Sequence, residues 1–222
     1  MSVATSYARA EFGIDAPLVT VEAAVSAGLP QTLIVGLPAT AVRESKDRVK
    51  AAVTSSGMSY PSDRKLTINL APADLPKTSG RYDLAIAIAV LAASGHISQE
   101  AAASWEFLGE LSLTGELRAV KGVLPAALRN RDSTRLMVVP AANATEAALA
   151  QSGKLYAANT LTDVVNLLVN GTALPLAIGN RTAKRLPWSM PRNRSNTEDH
   201  SSENIPPRQA TICWMPGSPR RT

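Results

Sequence analysis

The first forty residues carry the pattern of strands. From Ala16 to Val25 the apolar positions Val19, Val21, Ala23 and Val25 recur at every second residue beside Leu18, which predicts a half-buried strand. Gly28 and Pro30 interrupt it, and Thr32 to Val35 reads as a short buried strand stopped by Gly36 and Pro38. The period then changes. Thr40 suits a helix N-cap, and a helix to about Ser56 would place Val42, Val49, Ala52 and Val53 on one face, with Gly57 ending it. Lys65 to Leu70 alternates cleanly and predicts another strand. Tyr82 to Ala93 is apolar nearly all round, so it predicts a helix buried at the centre of the domain. Phe107 to Leu113 and Glu116 to Val120 flank Thr114-Gly115, a hairpin signal. Helices at Val123 to Arg129, Thr145 to Gln151 and Leu161 to Val169 then alternate with strands at Leu136 to Val139 and Leu155 to Ala158. Strands first and alternation afterwards argue a mixed α/β or α+β domain with helices packed on a sheet.

Composition narrows the classes. The chain has 222 residues, 45% hydrophobic and 18% charged, which fits a globular domain large enough to bury a core. The longest apolar stretch, Leu84 to Ala93, is too short to span a bilayer, so no membrane partner is expected. The N-terminus MSVATSYARAEFG lacks a basic segment followed by an apolar one, so no secretory signal is expected. A single cysteine, Cys213, leaves no internal disulfide framework, and two histidines, His96 and His200, leave no His-rich zinc centre. A cytoplasmic setting follows as the expectation. The net charge of +5 is unevenly spread: residues 1–178 hold fifteen Lys/Arg against fifteen Asp/Glu, so the whole excess sits in the last 44 residues. That basic, Pro-rich segment shows no apolar periodicity and reads as a disordered, solvated tail.

Candidate chemistry is sparse. The one Gly-Lys pair, Gly153-Lys154, is followed by Leu155 where a phosphate-binding loop needs Ser or Thr, so no nucleotide hydrolysis is expected of this chain. His96 follows Ser94-Gly95 at a helix end, where exposed carbonyls favour a basic residue, and it reads as structural. The densest stretch is NLAPADLPKTSGRYD, Asn69 to Asp83. It crowds Asp74, Lys77, Arg81 and Asp83 before a buried helix, whose N–H groups attract anions. A structural loop in which Asp74 pairs with Lys77 or Arg81 has the edge on composition alone. Arg43, Lys46 and Lys50 form a second cluster at i, i+3 and i+7 on one helix face, interleaved with Glu44, Asp47 and Arg48.

Four long stretches, in order, resemble a known family: APLVTVEAAVSAGLP, IVGLPATAVRESKDRVKAAVTSSG, LTINLAPADLPKTSGRYDLAIAIAVLAASG and FLGELSLTGELRAVKGVLPAAL. They are similar to the N-terminal domain of the YifB/ComM proteins, the magnesium-chelatase-like AAA+ ATPases. The resemblance implies an α+β fold like the proteolytic domain of Lon and the C-terminal domain of RadA (that of a ribosomal-protein second domain), a mixed sheet layered with helices, over residues 1–175. A disordered tail over 176–222 would stand where the AAA+ motor should begin, which suggests a truncated or frame-shifted product. Against the Lon arrangement, Tyr82 falls on the nucleophile position, Ser79 is displaced from it, and Arg129 stands where the base lysine belongs. An arginine does not deprotonate in proteins, so peptidase activity is not expected and no catalytic residue is assigned. ComM-type members are implicated in DNA branch migration during natural transformation. The implied role is a non-catalytic accessory domain, with DNA contacts at Lys77 and Arg81, then Arg43, Lys46 and Lys50, and with Asp74 and Asp83 shaping the loop. Neither cofactor nor metal is implied for this chain, ATP and magnesium being those of the full-length family. The partners implied are DNA and a homo-oligomer like the hexameric AAA+ relatives. A pure oligomerisation module is the alternative.

Overall fold

A computed structural model describes residues 1–36, 42, 44–75, 77 and 79–177. The chain divides into two units, Met1–Thr182 and Ala183–Thr222, and every described residue belongs to the first. Thr40, Arg43 and the basic tail lie outside the described residues.

Seven strands form one mixed sheet. They are β1 (Ser2–Arg9), β2 (Leu18–Ser26), β3 (Gln31–Val35), β4 (Lys65–Ala71), β5 (Trp105–Phe107), β8 (Leu136–Pro140) and β9 (Leu155–Ala158), in the order β3-β4-β2-β1-β5-β8-β9. β1 and β4 flank β2 antiparallel, with Ser2 opposite Val25 and Val21 opposite Leu70. β3 runs parallel to β4, and β5, β8 and β9 continue from β1 in parallel. β6 (Glu110–Leu111) and β7 (Leu117–Arg118) make a separate two-stranded ribbon. Such a sheet with packed helices is compatible with an α+β fold.

The core follows from strand alternation. Val19, Val21 and Ala23 of β2 and Leu66, Ile68 and Leu70 of β4 share a buried face, and each large side chain there contributes ~1.5–3 kcal/mol. Helix α2 (Asp83–Ala93) lies against β1 and β2 and is buried along its whole length, because α1 (Ser45–Ser55) packs on it too. On β1 the facing residues are small: Ala4, Ser6 and Ala8 are buried, and the Ser6 hydroxyl donates to the Ala85 carbonyl at 2.7 Å. That bond satisfies a polar group in an apolar layer and fixes α2 along the strand. β8 separates two cores. Val138 belongs to the α2 side, and Met137 and Val139 to a second cluster with Val123, Ala126 and Ala127 of α4 (Val123–Asn130). The parallel strand is therefore covered on both faces. α3 (Gln99–Ala103), α5 (Ala144–Ala148) and α6 (Leu161–Asn170) complete the domain. α6 opens on a capping box between Thr160 and Asp163 and ends at Gly171, whose φ is +67°.

Several sequence expectations need correction. The strand at Thr32 to Val35 is not buried: β3 is the last strand of the sheet, and its residues are half-buried or exposed. The hairpin at Thr114-Gly115 exists but is short, because Phe107 ends a strand of the main sheet and only Glu110–Leu111 and Leu117–Arg118 pair. The helix expected at Thr145 to Gln151 covers Ala144–Ala148. His96 is exposed, and its backbone N–H, not its ring, donates to the Leu91 carbonyl at the end of α2. No helix among the described residues is long and apolar enough to cross a membrane.

Candidate functional site

The loop between β4 and α2 carries the chemistry that the sequence crowds together, but its charges do not pair with each other. Lys77 is buried, and its ammonium donates to the carbonyls of Pro72 at 2.5 Å, Leu75 at 3.0 Å and Gly36 at 3.2 Å. An ammonium has three N–H donors, so all are used within the protein. Burial pulls the Lys77 ammonium below the ordinary lysine range, with exposed Asp74 acting in the opposite sense. Lys77 thus ties the loop to the end of β3. It is not a surface cation.

Asp83 takes its partner from another helix. Its carboxylate accepts from Arg48 Nε at 2.8 Å and Nη2 at 3.2 Å, and from the Leu111 backbone N–H at 3.2 Å. Burial raises the Asp83 carboxyl above the usual range, opposed by Arg48, Ser45 and Leu111. The same contacts hold Arg48 above its ordinary value. This cluster fastens α1, the start of α2 and the β6–β7 ribbon to one another. Gly109 reinforces it: its N–H donates to the Arg81 carbonyl and its carbonyl accepts from the Leu84 N–H, both at 3.1 Å. Its φ is +155°, and a Cβ there would come within 2.8 Å of the Leu117 side chain, so glycine is required.

Arg81 faces a cavity of about 400 Å³ lined by Glu11, Ser79, Glu110, Val120 and Lys121. Its side chain is only 1% exposed, yet Nε and Nη1 have no hydrogen-bond partner. Nη2 reaches the Gly122 carbonyl at 3.5 Å, and the nearest carboxylate oxygen, on Glu11, lies 3.9 Å from Nη1. Burial lowers its basicity, with Tyr82, Glu11 and Glu146 acting the other way. The start of α4 is not free to serve the cavity, because Glu146 Oε1 already accepts from the N–H groups of Val123 and Leu124.

Of the five proposed cations, only Lys46 and Lys50 stand exposed, one turn apart on α1, while Lys77 and Arg81 are buried and Arg43 lies outside the described residues. Tyr82 is also buried, and its hydroxyl is pushed up to about 12, chiefly by burial. Arg129 is held by Asp15 at 2.5 Å, away from the wall that Ser79 shares with Arg81. Among the described residues there is no group of three or more His, Cys, Asp or Glu side chains placed to hold a metal ion. Sequence reasoning missed Arg48, Glu11 and Lys121. Arg48 meets Asp83 across 35 positions, Glu11 lies near Arg81 across 70, and Lys121 belongs to a cavity wall, so no local spacing marks them.

Residues 21–143 match the family model of subunit ChlI of Mg-chelatase. The chain is 48% identical over 177 residues to competence protein ComM of Haemophilus influenzae, covering 80% of this chain and 35% of that protein. It is 44% identical over 179 residues to the uncharacterized protein YifB of Salmonella typhimurium, covering 80% and 35%. It is 48% identical over 149 residues to YifB of Escherichia coli, covering 67% and 29%. The chain spans about a third of the length of the curated relatives it matches.

Proposed function

The chain belongs to the family of subunit ChlI of Mg-chelatase, and on that premise we propose that it is a non-catalytic accessory domain of a ComM/YifB-like AAA+ ATPase acting in DNA processing in the cytoplasm. The carrying observation is the exposed pair Lys46 and Lys50, on a helix that the Arg48–Asp83 contacts fix to the core. Two cations one turn apart on a fixed helix suit successive backbone phosphates, read without base contacts. Lys77 and Arg81 serve this reading indirectly, by shaping the domain, and Asp74 and Asp83 belong to the same loop. A Lon-like fold without peptidase activity is part of the proposal. Buried Tyr82 on the nucleophile position and Arg129 held by Asp15 support it.

Fluorescence anisotropy of the 222-residue chain with duplex and branched DNA, across a salt series, tests the DNA role. Replacing Lys46 and Lys50 by glutamine should lower the slope of log affinity against log salt by about 0.9 for each lost phosphate contact. An unchanged slope and affinity would remove these residues from any DNA surface. The oligomerisation reading has one observation in its favour: β3 is an outer strand that exposes Leu33 and Val35. A light-scattering mass above that of one chain, lost on replacing Leu33 and Val35 by threonine, would establish it.

A further inference from the structure

The geometry points to the Arg81 cavity as a binding site for a small carboxylate that carries its own ammonium group, an amino acid in chemical class. This goes beyond the DNA reading and does not depend on it. A guanidinium stripped of water normally has its N–H groups met by acceptors. Arg81 does not. It is almost wholly buried, Nε and Nη1 have no hydrogen-bond partner, and both belong to a side chain that lines an open cavity of about 400 Å³. That volume lies in the range of small-molecule sites. Glu11 stays 3.9 Å away and 44% exposed, beyond hydrogen-bond reach, so it balances charge without satisfying the donors.

The walls select the ligand. Arg81 and Lys121 face Glu11 and Glu110, so the lining is formally neutral. A phosphate dianion would gain from the cations but meet both glutamates. One carboxylate needs a single guanidinium, and its planar oxygens suit that fork. An ammonium on the same small molecule would then meet Glu11 or Glu110, and the Ser79 hydroxyl can serve either end.

Thermal unfolding of the 222-residue chain tests this, with glycine, sodium acetate and sodium phosphate as probes at matched ionic strength against sodium chloride. At ten times Kd a ligand that binds only the folded protein should raise Tm by roughly 3–6 °C. Glycine and acetate should do so, and phosphate should be weaker than both. Arg81→Gln should abolish the response. Because that variant can fail to fold, the rim supplies a second reading. Glu11→Gln should tighten acetate several-fold, by removing a competing negative charge, and weaken glycine, by removing an ammonium partner. No response to any carboxylate overturns the proposal. So does phosphate binding as tightly as acetate, or a Glu11→Gln variant that responds like the parent.

Discussion

The pairing of Arg9 with Glu106 offers the sharpest test of what holds the sheet together. Glu106 is fully buried, and accepts from Arg9 Nε at 2.6 Å, from Arg9 Nη2 at 3.0 Å and from the Ser133 hydroxyl at 2.8 Å. The remaining Arg9 nitrogen, Nη1, donates to the Ala16 carbonyl at 3.1 Å. The pair bridges β1 and β5, where the ladder registers only Tyr7 with Glu106. Arg9→Met would leave a buried carboxylate with the Ser133 hydroxyl as its one side-chain donor, a loss of ~3–5 kcal/mol in chemical denaturation. That is a large part of the ~5–15 kcal/mol typical of a domain, and at ~2–4 °C per kcal/mol it lowers Tm by roughly 6–20 °C. Glu106→Leu alone should cost a similar amount, because it strands the guanidinium. The double variant Arg9→Met/Glu106→Leu removes both charges and should lie within ~1–2 kcal/mol of the parent, a coupling of several kcal/mol. The transition midpoints carry the answer, provided the slope m stays constant. If Arg9→Met costs less than ~1 kcal/mol, or the double variant loses the sum of the singles, the seam is not held by this pair.

Two other predictions rest on the residues around the loop. Tyr82 titrates near 10 in an unfolded chain but is pushed up to about 12 in the fold, so its contribution is fully present below pH 10 and is lost as pH rises toward 12. Between pH 8 and pH 11 stability should fall by about 1.4 kcal/mol more in the parent than in Tyr82→Phe, measured by urea unfolding at the two pH values. Gly36 has φ +98°, and a Cβ there would sit 2.2 Å from the Leu70 carbonyl oxygen, which cannot swing aside. Gly36→Ala should therefore cost more than ~1–3 kcal/mol, and a melting temperature equal to the parent's would refute the close approach.

Much of the sheet could be read directly because its outer layers obey simple periods. Lys65 to Leu70 alternates, and β4 buries Leu66, Ile68 and Leu70 as that pattern predicts. Leu84 to Ala93 is apolar on every side because sheet, α1 and ribbon cover it from several directions. β1 was harder to delimit. Its inward side chains are Ala4, Ser6 and Ala8, too small to give a hydrophobic signal, and α2 lies against them because they are small. β5 hides in the same way: Trp105–Phe107 has a glutamate at its middle position, buried only because Arg9 meets it. The candidate site was legible as a location and not as a wiring. Local spacing suggests Asp74 with Lys77 or Arg81, whereas Asp83 is met by Arg48 across 35 positions, and Lys77 by carbonyls. Long-range electrostatic partners leave no period in a sequence.

β1 occupies the fourth of the seven places in the sheet, yet it precedes every other strand in the chain. A ribosome therefore releases the middle of the sheet before its flanks, and β2 can join β1 as a hairpin before the other strands have emerged. On one flank β5, β8 and β9 then add outward in chain order, whereas on the other β3, which precedes β4, can pair only once β4 has joined β2. Removing β1 would cut the fabric along its centre line, whereas β3 and β9 form its borders.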